Sequence, residues 1–441
     1  MVTRNAGLLH TRRKPNHQTM ETLPTIPSWV EVEHKVAQLL TAQEIHGWCF
    51  DEKAAEQLTA ELLTELEEAK EALKQQHAFV KGEEKTPKRN NKTQGYVEGA
   101  TFTKLKEFNP TSRDHIAWIL QTFHGWKPTQ LTATGKPIID EPILKDIGSE
   151  FSLLILRCLD ITKKLGMISE GVNAYLKLCT NARIHHHCSV ATSTFRCAHR
   201  NPNLAQVPSD ERFRKLFIPT SGQVMVGADL SGIELRMLAH YLARYDGGRY
   251  AKILLEDDIH QVNADKIGIS RRLVKTVTYA FLYGAGDEKI GHSYDKQLSS
   301  AKAKKKGKEI RAAYIEAVEG LDLLLTAIKS ASERGFVRSI DQRKVLVDSP
   351  HKALNYLLQS GAGIVAKQWM LINNNHIHEL QLCCSQLAFI HDELQFECAP
   401  EHTKDLSSSL VLSATEAGEY YNLRIRIDAE ATTGSSWAET H

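Results

Sequence analysis

Ala55, Leu58, Leu62, Leu66, Ala69 and Leu73 recur at steps of three and four residues. That spacing predicts one apolar stripe on a helix, with Asp51 placed to cap it. The other face is rich in glutamate. The pattern breaks in the polar, lysine-rich segment from about Gln75 to Glu107, which reads as a loop. FSLLILRCLDITKKLGMI then restores helical spacing and supplies an antiparallel return. From about Asn181 the chain changes to short β-type runs. QVMVGADL predicts a strand ending in Asp229. SGIELRMLAHYLARY predicts a helix opened there, with Ser231 and Glu234 spaced as a capping box. Leu242 to Leu354 reads as helical and basic. A long helix around GAGIVAKQWMLI follows, then a hairpin in LAFIHDELQFEC, then RIRIDAEA as a closing strand. Residues 1–29 are polar and broken by proline, the pattern of a loose tail. No internal repeat is visible.

At 441 residues the chain can bury a large core and should divide into subdomains. No apolar run is long enough to span a bilayer, and there is no secretory segment. The net charge is only +2, so any nucleic-acid footprint must be local. Two basic tracts exist, KGEEKTPKRNNK (Lys81 to Lys92) and AKAKKKGKEIR (Lys302 to Arg311). Either taken alone reads as a solvated surface. The first twenty residues hold Arg4, Arg12, Arg13 and Lys14 and no acid. An organelle transit peptide has that composition, and a disordered basic arm is the preferred reading. The eight cysteines form no CxxC pair, so a reduced, cytoplasmic setting is expected. IHHHCS (Ile184 to Ser189) offers metal donors. Strand alternation would send them to two faces and spoil a tetrahedral zinc site.

Asp229, and later Asp392 with Glu393, interrupt apolar runs. Adjacent acids in such a run repel each other and resist desolvation, a penalty that a divalent cation removes. Two acids from distant segments are the minimum for holding a pair of Mg²⁺ ions in phosphoryl transfer. Taken alone, Asp229 is better read as a helix cap. Arg271, Lys275, Tyr279 and Tyr283 follow at four-residue steps, so two cations and two aromatic rings share one helix face. Such a face suits a triphosphate and a base. Gly284 and Gly286 then stop the helix.

DLSGIELR, RRLVKTVTYAFLYG and IHDE, in that order, resemble motifs A, B and C of family A DNA polymerases. PNLAQVP, GDEKIG, LNYLLQSGAG and SSWAETH are similar to the replicative polymerases of short-tailed phages that recruit host thioredoxin. The resemblance runs from about Val30 to His441. It implies an α+β right-hand fold with thumb, palm (an antiparallel sheet) and fingers. The implied divisions are a palm-packing helix at 30–42, a thumb at 43–179 with its basic loop at 75–107, palm at 180–241, fingers at 242–354 and palm again at 355–441. It also places IHHHCS in the palm sheet.

The resemblance implies roles for individual residues. Asp229, Asp392 and the Leu230 carbonyl would hold two Mg²⁺ ions, with Mn²⁺ as a substitute. Glu393 would stand nearby. Lys275, Arg271 and His260 would hold the triphosphate, with Lys275 a proton donor to pyrophosphate. Tyr279 would lie against the incoming sugar and base, and Tyr283 against the template pair and Glu234. Glu234 would crowd the sugar and exclude a 2′-hydroxyl. Arg196, Asn355, Gln359 and His391 would contact the primer–template minor groove, where acceptors look alike for all correct pairs. Surface cations, a capping glutamate and a structural histidine are the plainer readings of these residues taken singly.

Three departures from the family pattern stand out. Phe195 occupies the glycine position of the usual Thr-Gly-Arg, beside Arg196. The thumb loop is short for the thioredoxin-recruiting group. Fewer than about thirty residues precede the match, too few for a domain. The chain is therefore expected to lack a proofreading exonuclease, with a separate exonuclease polypeptide, and thioredoxin or another processivity factor, as candidate partners. The expected function is primer extension with dNTPs in phage-type DNA replication, in the host cytoplasm if the chain is phage-encoded. A single-subunit RNA polymerase and a non-catalytic DNA-binding remnant are the rivals. Glu234 opposes the first, and Asp229, Lys275 and Asp392 oppose the second.

Overall fold

The computed structural model describes residues 26–190 and 192–441. The basic arm at Arg4 and Arg12–Lys14 lies outside them. The first helix, Ser28–His46, starts inside the expected tail. It packs on the long helix Ala353–Glu379 through Val32, Val36 and Leu40.

The expected thumb helix spans Glu52–Gln76, and Asp51 caps it by accepting from the Ala54 amide at 3.0 Å. Every residue of the predicted stripe is buried. The return helix, Glu150–Leu165, packs against it with Phe151, Ile155, Cys158 and Ile161. The segment from Gln75 to Glu107 is not a loop. Phe79–Lys85 and Phe102–Glu107 pair as an antiparallel ribbon. Cross-strand bonds satisfy its backbone while nearly all its side chains stay in water, and only Val80 among them is buried. A ribbon with no apolar face leaves no alternation to read.

A four-stranded antiparallel sheet forms the middle of the molecule. Its order is Cys384–Ile390, Glu393–Cys398, Val224–Leu230, Ala429–Gly434. Gly227 sits on the central strand, where a Cβ would fall 2.3 Å from the Thr440 carbonyl. Its absence lets the segment around Trp437 settle onto the sheet.

The capping box does not form. Ser231 remains in the strand pairing, donating its amide to the Asp428 carbonyl at 2.9 Å. Gly232, at φ 54°, turns the chain instead, and the helix runs Ile233–Asp246. Asp229 is therefore a strand residue and opens no helix. The expected fingers are helical as predicted, with one added ribbon, Phe336–Arg338 paired with Lys344–Leu346.

IHHHCS begins in a second four-stranded sheet, where Ile184 pairs with Trp48 and Cys179, and ends in the pair His187–Ser189 with Ala198–Arg200, apart from the sheet that carries Asp229. His186 faces inward to the Leu387 carbonyl at 2.9 Å, whereas His185 and His187 face Glu44. All eight cysteines are free thiols. Among the described residues no helix is long and apolar enough to cross a membrane.

Candidate active site

Three acids meet where the central strand ends. Asp229 is the cross-strand partner of Glu393. Asp392 and His391 form the two-residue turn between the hairpin strands, with His391 at φ 59°. The Leu230 amide donates to the Asp392 carbonyl at 3.0 Å, so the two acidic segments are tied through their backbones.

The side chains divide into two kinds. Glu393 is buried and fully engaged. It accepts from the Trp437 indole at 2.6 Å, the Gln395 amide at 2.8 Å and His441 Nδ1 at 3.0 Å. Asp229 and Asp392 receive no side-chain hydrogen bond or ion pair from any other described residue. Burial, then the charge of Glu393, pushes the Asp229 carboxyl up to about 7. Burial also raises Asp392. Two carboxylates, desolvated and without protein donors, have the chemistry of a divalent-cation site. Ligand atoms of Asp229, Glu393 and His441 lie within 4.8 Å of one another.

Glu234 occupies the next position outward. Its carboxylate accepts from Arg196 Nη2 at 2.8 Å. Tyr283 borders it. Burial, followed by the hydrogen bond to Glu234, raises the Tyr283 phenol to about 12. The cationic helix spans Arg271–Leu282, capped by Ser270. Val274, Val277, Thr278, Phe281 and Leu282 are buried, which leaves Arg271, Lys275 and Tyr279 on the open face as predicted. Gly284, at φ 69°, ends it, with the Ala285 amide on the Ala280 carbonyl and the Gly284 amide on Phe281, a Schellman closure.

Residues 50–439 match the family model for DNA polymerase family A. The chain belongs to DNA polymerase family A. The DNA-directed DNA polymerase of Enterobacteria phage T3 is 33% identical, over 93% of this chain and 70% of the relative. That of Escherichia phage T7 is 32% identical with the same coverage. DNA polymerase I of Pseudomonas aeruginosa is 25% identical, over 76% of this chain and 39% of that protein. Among solved structures, the POL domain of Pol1 from M. smegmatis, in complex with DNA primer-template and dNTP, superposes with a TM-score of 0.74. It covers 92% of this chain and 70% of that one, at 21% identity, and so supports the fold. The expected family, its phage-type relatives and the mixed helix-and-sheet polymerase fold are thus borne out. The activity is DNA-directed DNA polymerisation.

Several of the polymerase's expected site residues already have partners. Arg271 pairs with Asp258 at 2.6 Å, and Asp258 also caps the helix that carries His260. His260 is buried with Nδ1 unpartnered, its ring 6.1 Å from that of Tyr279. Lys275 is exposed and carries no ion pair among the described residues. Asn355 donates to the Leu282 carbonyl at 3.0 Å, tying the long helix to the cationic one. Gln359 follows one turn later on the long helix, half-buried. His391 is half-buried beside His199, with Nδ1 unpartnered.

Sequence reasoning missed His441, Trp437 and Arg214. Arg214 lies over the Trp437 ring at 5.4 Å, and its charge lowers Asp229 against the effect of burial. The string SSWAETH carried the family resemblance, but only the folded chain brings it onto Glu393.

Burial holds the Asp229 carboxyl up at about 7 in the fold, against 3.8 for an ordinary aspartate. Its penalty is therefore absent below about pH 3.8, grows between there and about 7, and is constant above. In metal-free protein, Asp229→Asn is expected to raise stability at pH 8 by about 1–2 kcal/mol, after allowance for water reaching the site. The gain should shrink at pH 5. Chemical denaturation at both pH values checks this, and no gain at pH 8 would contradict it.

Proposed function

We propose that this polymerase is template-directed and extends a primer 3′ end with dNTPs in phage-type replication, using two Mg²⁺ ions, for which Mn²⁺ can substitute. The observation that supports this most is the pair Asp229 and Asp392, desolvated, unpartnered and tied through the Leu230–Asp392 backbone bond. Asp229, Asp392 and the Leu230 carbonyl are the proposed ligands. The chemistry such ions would supply there is a lowered pKa for the primer 3′-hydroxyl and stabilised charge on the departing pyrophosphate.

The protein's own groups divide the remaining work. Lys275 and Arg271 bind the triphosphate. Lys275, being unpaired, is the group free to give a proton to pyrophosphate. Arg271 first exchanges Asp258 for phosphate, and His260 adds a contact from beneath Tyr279. Tyr279 packs on the incoming sugar and base, and Tyr283 on the template pair. Glu234, held by Arg196, fills the space a 2′-hydroxyl would need. Arg196, Asn355, Gln359 and His391 face the minor groove, where Arg196 would share its guanidinium between Glu234 and DNA. Glu393 orders the segment through Trp437 and His441 rather than presenting a free carboxylate. The hand divides into thumb (43–179), palm (180–241 and 355–441) and fingers (242–354), with the helix at 30–42 packed on the palm.

The proposal includes an absence of proofreading. Among the described residues the one group of three or more clustered candidate ligands is that of Asp229, Glu393 and His441. A separate exonuclease polypeptide would complement it. The thumb ribbon, with Lys81, Lys85, Lys88, Arg89 and Lys92, is proposed to hold DNA directly, with recruitment of thioredoxin or another processivity factor as the alternative.

Asp392→Asn should lower primer extension about a thousandfold or more while leaving primer–template binding intact. A labelled primer incubated without dNTPs should stay full length. Near-normal extension would remove the metal assignment, and primer shortening would remove the second claim. Deleting residues 81–92 should shorten products and reduce the steep salt dependence of DNA binding. If that deletion has no effect while added thioredoxin lengthens products, the ribbon's DNA contact is wrong.

A further inference from the structure

Beside the catalytic centre the structure holds a buried charge cluster that no step above uses. Arg343, in the turn of the fingers ribbon, is 5% exposed. Its guanidinium lies between two rings, 5.0 Å from the centre of Trp29 and 4.8 Å from that of Phe195. At its edges it bonds Glu33 at 2.5 Å and Asp341 at 2.6 Å. Glu33 also accepts from Lys367 at 2.7 and 2.9 Å. Lys367 is fully buried on the long helix and donates to the Val190 carbonyl as well. Two cations and two anions thus join the first helix, the fingers ribbon, the long helix and the loop that leads to Arg196.

That loop is under constraint. Phe195 sits at φ 62°, a region L side chains rarely adopt. The loop closes on itself through the Thr192 amide to the Arg196 carbonyl at 2.8 Å and the Phe195 amide to Thr192 at 3.0 Å. Gly363 of the long helix packs against it, a Cβ there lying 3.4 Å from the Arg196 amide and the Phe195 carbonyl, in van der Waals contact. The residue after the strained one is the residue that holds Glu234.

We propose that the Arg343–Phe195 stack is a positioning device that aims Arg196 at Glu234 and so sets sugar selection. A desolvated cation between two rings is held more firmly than one in water. The ring of Phe195 then fixes the left-handed backbone turn that glycine would leave free. Buried ion clusters add little net stability over apolar packing, so a cluster costly to desolvate is better explained by the geometry it enforces. The inference rests on the reading of Glu234 as the sugar gate.

The test uses the full chain on primer–template, with single insertions of matched dNTP and rNTP by Phe195→Leu, Phe195→Tyr and Glu234→Ala. Leu keeps bulk and removes the π face, whereas Tyr keeps both. Phe195→Leu should raise the rNTP-to-dNTP insertion ratio about tenfold, the scale of a desolvated cation–π contact, chiefly through KM. Phe195→Tyr should match wild type. A Phe195→Leu protein that loses melting temperature but keeps its discrimination, while Glu234→Ala relaxes it, overturns this inference alone. Equal relaxation by Leu and Tyr also overturns it. Unchanged discrimination in Glu234→Ala overturns the gate reading and this inference with it. Should Phe195→Leu fail to fold, Arg343→Lys, which keeps the charge but loses the planar stacking group, is judged by the same ratio.

Discussion

Desolvation of carboxylates is the constraint around which this polymerase is organised. Asp229, Asp392 and Glu393 are gathered at one corner of a largely buried sheet. Asp229 and Asp392 are raised by burial, and the charge of Glu393 opposes the ionisation of both. The fold resolves the conflict for Glu393 alone, by bringing Trp437, Gln395 and His441 to it. Asp229 and Asp392 are left without donors. Local stability is thereby given up where cation binding can restore it, the pattern expected of a functional site.

Much of the remaining architecture serves that corner. Gly227 has no side chain, so the segment carrying Trp437 and His441 can lie against the central strand. The backbone bond from Leu230 to Asp392 keeps the strand end and the hairpin turn in register. Arg196 holds the Glu234 carboxylate by an ion pair, which restrains a flexible side chain beside Tyr283. The cationic helix contributes Lys275, unpaired among the described residues, and an arginine restrained by Asp258.

The legible parts of the fold are those whose pattern is enforced by burial. The stripe from Ala55 to Leu73 is buried at every position, because a helix with one apolar face has one way to pack. The strand before Asp229, the hairpin around Asp392 and the spacing of Arg271, Lys275 and Tyr279 were legible for the same reason. The illegible parts are set by pairing or by distant contacts. The ribbon Phe79–Lys85 hides almost no side chain, so nothing in its pattern marks it as strand. The capping box failed because Ser231 is taken up by the pairing with Asp428. Of the neighbouring acids Asp392 and Glu393, only the strand register decides which turns inward. The clamp of Arg343 on Phe195 spans segments far apart in the chain, and only the unusual residue at position 195 hinted at it.

The account's central claim is that Asp229 and Asp392, and not Glu393, carry the divalent ions. Mn²⁺ binding, followed by electron paramagnetic resonance on the complex with primer–template and a non-reacting dNTP, tests this most directly. The account predicts two ions for the unaltered protein, fewer for Asp229→Asn or Asp392→Asn, and two for Glu393→Gln. Unchanged stoichiometry in both aspartate variants would contradict it.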